Sequence, residues 1–115
     1  MATVAAIKES AAENLGIVGE GETLPSYETD DLGAAYTELH AELLSRGLVT
    51  WSVTADIPAR FAWPIAMLVA EKRAVKYKVP EARYQQIKLE SQEALALVRE
   101  LQTRGKLGQT EIEYF

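Results

Sequence analysis

The chain has no cysteine, one histidine, four prolines and two tryptophans in 115 residues. Without cysteine there can be no disulfide, no thiolate metal site and no cysteine nucleophile, and a reducing compartment fits the composition. The lone His40 has no spaced ligand partners, so a partly exposed helix histidine beside an apolar face is the plain reading and a metal or general-base role is not expected. Long hydrophobic runs are also missing. The stretch Phe61 to Ala70 lies between Arg60 and Glu71 and is far short of the roughly 20 residues that span a bilayer, so no membrane partner is expected. The start, Met-Ala-Thr-Val-Ala-Ala-Ile-Lys-Glu, lacks the basic opening of a signal peptide.

What is present is the composition of one folded domain, 48% hydrophobic and 25% charged, with a net charge of −5. The charge is uneven. Residues 1–50 carry two basic and nine acidic side chains, a net of −7, whereas residues 51–115 carry ten basic and eight acidic, a net of +2. Such asymmetry reads either as solvated surface or as an acidic face that meets a neighbour's basic face. On the second reading Asp30, Asp31, Glu38 and Glu42 would meet Lys72, Arg73 and Lys76 of an adjacent subunit, and head-to-tail repetition would close a ring.

Hydrophobic spacing predicts four helices. Thr3 caps the first, with Val4, Ile7, Ala11 and Leu15 on one face and Gly16 as its stop. Three glycines and a proline between Gly16 and Glu28 predict a long loop. Thr29 caps the second helix, Asp30 and Asp31 occupy its first turn, and Leu32, Ala35, Tyr36, Leu39 and Leu43 form its buried face up to Gly47. Leu48 to Val53 suits a short extended segment. Asp56-Ile-Pro58 starts the third helix, expected as a short first turn, a kink near Trp63-Pro64 and then a strong helix to about Lys76. Its Ala62, Ala66, Ala70 and Ala74 are read as permitting close helix approach or as helix propensity alone. Val79-Pro80-Glu81 opens the fourth, running to about Thr103 with Tyr84, Ile87, Ala94, Leu95, Val98 and Leu101 inward.

The expected fold is therefore all-α, a four-helix bundle over residues 1–105 with a long loop between helices 1 and 2 and an extended arm over 106–115. The arm can add a strand to a partner's sheet, place Ile112, Tyr114 and Phe115 in its pockets, or fold back on its own bundle.

Enzymatic signatures are weak. Glu38 and Glu42 lie one helical turn apart without any sign of a cleft, and Leu24 stands where a dinucleotide fingerprint after Gly19 and Gly21 would need its third glycine. No catalytic residue, cofactor or metal is expected. The cluster Lys72, Arg73, Lys76, Lys78 and Arg83 could meet phosphate or an acidic protein face, or simply solvate a helix end, and it lacks aromatics for stacking on single strands.

The order of these features resembles the head-completion or head-to-tail adaptor proteins of tailed double-stranded DNA phages and gene-transfer particles. The resemblance rests on Glu13-Asn-Leu-Gly16, the acidic helix Asp30 to Arg46 followed by Gly47-Leu-Val-Thr-Trp51, Asp56-Ile-Pro58, the helix after Val79-Pro80, and the final Glu113-Tyr-Phe115. It implies a structural virion protein, assembled in the host cytoplasm and located at the virion neck. Such a protein forms a ring, usually a dodecamer, beneath the portal, extends the DNA channel without reading sequence, and carries the stopper or tail-completion protein. It also implies a portal-binding arm over Gly108, Gln109, Thr110, Glu111, Ile112, Glu113, Tyr114 and Phe115. Relative to short-tailed phage members the chain lacks a long region after the fourth helix. A small helical binding or regulatory module is the competing class.

Overall fold

The computed structural model describes residues 2–18 and 24–114, with side chains through residue 103. Four helices form an all-α arrangement: α1 (Val4–Leu15), α2 (Ser26–Ser45), α3 (Ala62–Arg73) and α4 (Glu81–Tyr114). A single 3₁₀ turn, Ala59–Phe61, precedes α3.

The first helix follows its sequence signals. Thr3 Oγ1 accepts from the Ala6 amide at 3.1 Å, and Gly16 closes the helix at φ 75°, where a Cβ would be strained. The second helix starts earlier than expected. Pro25 occupies the N-cap, and Thr29 lies one turn inside the helix with its hydroxyl donating back to Pro25 O at 3.0 Å. Proline fixes the entry dihedral there and needs no amide partner, so it outweighs the threonine signal.

Residues 48–53 form no strand. Among the described residues the one bridge is antiparallel between Ala2 and Ile57, with N–H···O distances of 2.8 and 2.7 Å, and it ties the start of the chain to the approach to α3. The expected kink at Trp63-Pro64 is also absent. The 3₁₀ turn ends before Ala62, which places Pro64 third in α3, where its missing N–H is one of the four that have no intrahelical acceptor anyway.

The third helix is the axis of the core. Pro64 to Ala70 are all buried, so over these two turns it has no solvent face of the kind an amphipathic surface helix shows, and it packs against α1, α2 and α4. Ala66, Ala70 and Ala74 are 2%, 0% and 0% exposed, which supports the close-approach reading of the alanine row. Around them pack Ile7, Leu32, Tyr36, Ile57, Ile87 and Val98. The helix ends at Arg73, earlier than the expected Lys76, because the chain turns through 74–78 and reverses at Lys78 in the left-handed region (φ 53°).

The fourth helix corrects the largest expectation. Its backbone does not leave the bundle at Gly105 as an extended arm; it stays helical through Tyr114. Gly105 and Gly108 each cost about 1 kcal/mol relative to alanine in a helix, but Lys106, Leu107, Gln109 and Glu111 around them are favourable helix formers. At 1.5 Å per residue its 34 residues span about 51 Å, matching the molecule's longest dimension of 51 Å. The last α4 residues packed on the core are Val98 and, partly, Leu101 among the described side chains.

Candidate functional site

Two constellations concentrate polar chemistry in this small fold. The first is a charged seam between α2 and the C-terminal end of α3. The two helices run antiparallel, so acids spaced along α2 meet bases in reverse order. Asp31 Oδ1 accepts from Lys76 Nζ at 2.7 Å and lies 3.4 Å from Arg73 Nε; its Oδ2 accepts from the Tyr77 hydroxyl at 2.7 Å. Two and three turns on along α2, Arg73 Nη2 pairs with Glu38 at 3.6 Å and Lys72 Nζ with Glu42 at 2.8 Å.

Burial separates the members of this seam. Asp31 retains only 11% of its side-chain exposure, whereas Glu38 and Glu42 retain 57% and 53%. Burial alone pushes the Asp31 carboxyl up, but hydrogen bonds from Lys76 and Tyr77 and the charges of Arg73 and Lys76 hold it below its ordinary value. Lys76 is raised, chiefly by its hydrogen bond to Asp31. Tyr77 is pushed well above the usual phenol range by burial and by donating to an anion. Arg73 Nε is itself buried without a hydrogen-bond acceptor in good geometry, so its contribution to Asp31 is through charge. On the solvent side Lys76 Nζ lies 5.2 Å from the Tyr27 ring centroid, in cation–π range.

The seam changes the meaning of the charge asymmetry in the sequence. Asp31, Glu38, Glu42, Lys72, Arg73 and Lys76, expected to meet between subunits, pair with one another inside a single chain. Asp30 is exposed beside them. Acidic first half and basic second half are complementary because α2 and α3 are neighbours in the bundle. The charge count alone holds no record of which copy supplies the partner.

The second constellation is a shallow groove of about 540 Å3 beside the C-terminal half of α2, lined by Thr37, His40, Ala41, Leu44 and residues 50–53. His40, expected to be partly exposed, is 6% exposed because the 48–53 segment folds over it, and its Nε2 donates to Trp51 O at 2.7 Å. Trp51 Nε1 donates to the Tyr36 hydroxyl at 3.0 Å, and the Trp51 ring packs on Phe61 with centroids 4.9 Å apart. Burial raises the Tyr36 phenol, with the Trp51 N–H opposing it. Each polar atom of this network thus serves to fasten an irregular segment that has no strand partners. With no carboxylate in the lining, the groove can seat an apolar side chain but has no acid–base pair for chemistry.

Arg83, the member of the basic cluster most remote from the seam, donates from Nε and Nη2 to Asn14 O, both at 3.1 Å. It places a cation at the C-terminal end of α1, where unpaired carbonyls and the helix dipole favour it. Among the described residues no group of three acidic, histidine or cysteine side chains could hold a metal ion, and no helix is long and apolar enough to cross a membrane. The side chains of Gly108 to Phe115 lie outside the described residues. Comparison with protein families, curated proteins and solved structures found no match to this chain.

Proposed function

We propose that this protein is a neck adaptor of a tailed double-stranded DNA phage or gene-transfer particle: a ring-forming structural protein that sits beneath the portal, extends the DNA channel and carries the stopper or tail. The observation that supports this most is the fourth helix. It is nearly three times the length of α1 or α3, and after Leu101 it continues for more than three turns past the last core contact of the described side chains. A 34-residue helix is about three times the mean helix of a globular domain. A helix of this length is suited to reach another protein. In this reading residues 108–115 are the portal-binding segment and approach the portal as the end of a helix.

Deleting residues 108–115 and measuring co-sedimentation with the portal from the same particle tests the assignment. The truncated chain is expected to keep its melting temperature within about 2 °C, because no described core residue is removed, and to lose portal attachment. Attachment equal to the full chain would refute it. The groove beside Trp51 favours a second reading, a small binding module that seats an apolar anchor of a partner. That module would be indifferent to the portal.

A further inference from the structure

Among the described residues two large aromatic side chains are well exposed, Tyr27 and Trp63. Tyr27 has a partner, since Lys76 lies over its ring at 5.2 Å. Trp63 has none. Its indole is 48% exposed and makes no hydrogen bond or ring contact within the described chain. Tryptophan is among the residues most enriched at the energetic centres of protein interfaces, where its ring fills a pocket and its N–H finds an acceptor.

The groove beside α2 has what an indole needs. Ala41, Leu44, Trp51 and Val53 give it apolar walls, no charged side chain lines it, and its volume of about 540 Å3 lies in the range of ligand sites. It also holds a free acceptor. His40 Nε2 lies 2.7 Å from Trp51 O, and a carbonyl only accepts, so the proton sits on Nε2 and the neutral ring keeps a bare lone pair on Nδ1. No described group donates to Nδ1, yet Arg73 Nε is the one buried side-chain nitrogen or oxygen without a partner among the described residues. Nδ1 therefore reaches solvent, and for a residue only 6% exposed the opening is the groove that it lines.

The tryptophan and the groove point apart. Phe61 is buried and packs on Trp51, which walls the groove; Trp63 follows two residues later, about 200° further round the helix. A side chain turned away from the groove of its own chain is available to the groove of another. Contacts between two unlike patches repeat head to tail and close into a ring when the rotation allows.

We propose that the groove beside α2 is the socket for Trp63 of the next copy, the indole lying against Leu44, Trp51 and Val53 and its N–H donating to His40 Nδ1. This rests on the ring reading above and names its contact. The occupant of the groove is then a second copy of this chain. The intersubunit role expected of the α2 and α3 charges passes to an uncharged pair.

Two surface variants test the contact, Trp63→Ala, which removes the anchor, and Ala41→Arg, which fills the socket. Both positions are exposed, so circular dichroism should be unchanged. Self-association is followed by sedimentation velocity, alone and with the portal. Each variant by itself should associate at least about thirtyfold more weakly than the wild type. A mixture of the two should form one-to-one pairs and nothing larger, because each pair joins one intact tryptophan to one intact groove and leaves a defective surface at either end. A mixture that stays as single chains while the wild type associates overturns the proposal, as does Trp63→Ala associating like the wild type. Portal-bound rings of Trp63→Ala chains equal to those of the wild type overturn the contact while leaving the ring reading standing; wild-type chains that stay single with and without the portal overturn both. Trp63→Phe keeps an aromatic ring and drops the N–H, so association should weaken about tenfold. Association equal to the wild type refutes the hydrogen bond to His40.

Discussion

The seam between α2 and α3 and the outer face of α4 contain similar numbers of charges but use them differently. In the seam, acids of α2 face bases of α3, and at its buried end Asp31 gathers Lys76, Tyr77 and Arg73 around one carboxylate. On α4 the exposed Glu81, Lys88, Glu93, Arg99 and Glu100 are spread with mixed sign over the outward side of one helix. The first pattern is complete within one chain. The second lies on the side of α4 turned away from the buried Ile87, Ala94 and Val98. Net charge and charge asymmetry are the same kind of information in both cases; the difference comes from which helices are neighbours.

Several substitutions sharpen this contrast. The largest loss is expected in the core that brings the seam together. Ile65→Ala removes a side chain that is 1% exposed in the central helix and should cost about 2–5 kcal/mol in denaturant unfolding, because the surrounding helices cannot fully close the cavity. A loss under half a kilocalorie would mean that α3 is not the packing axis.

Asp31→Asn should follow, at about 1–3 kcal/mol, because it leaves Arg73, Lys76 and Tyr77 around a neutral amide. Its pH dependence gives a second check. The folded Asp31 carboxyl lies below its ordinary value, so its stabilisation is present in full above the unfolded value near 3.8 and fades as pH falls through the folded value. Lys76 and Tyr77 act in the opposite direction, both raised by the fold. Their stabilisation is present below their ordinary values of 10.5 and 10.0 and is lost as pH rises through the folded ones. Urea midpoints should therefore drop more steeply for the wild type than for Asp31→Asn at both acid and alkaline ends; parallel curves would contradict the node.

Trp51→Phe keeps the ring against Phe61 and deletes the N–H that reaches Tyr36. A cost of about 1 kcal/mol is expected, together with faster amide exchange in residues 48–53. The smallest effect belongs to the open end of the seam. Lys72→Ala breaks a pair with a half-exposed Glu42 and should change stability by less than about 1 kcal/mol, vanishing in high salt.

How far the sequence anticipated this structure depends on whether the deciding interaction was local. Thr3 and Gly16 delimit α1, and the inward residues of α2 (Leu32, Ala35, Tyr36, Leu39 and Leu43) are all buried, because capping and periodicity are properties of adjacent residues. Pro64 misled because its effect depends on where the helix begins, and that is set by the 3₁₀ turn and the Ala2–Ile57 bridge between distant segments. His40 seemed half-exposed because nothing in its helix reveals that Trp51 folds over it. The seam residues were recognisable as charged and clustered, but their pairing inside the chain was invisible until α2 and α3 were placed side by side. At the end of α4, Gly105 read as a helix stop, and the helix formers around it prevailed.

Sedimentation velocity of the full chain over a range of concentrations, alone and with the portal of its source particle, bears most directly on the claim that α4 is built for other protein surfaces. The account predicts species larger than one chain that co-sediment with the portal and no longer do so when residues 108–115 are deleted. A single-chain species at every concentration, indifferent to the portal, would contradict it.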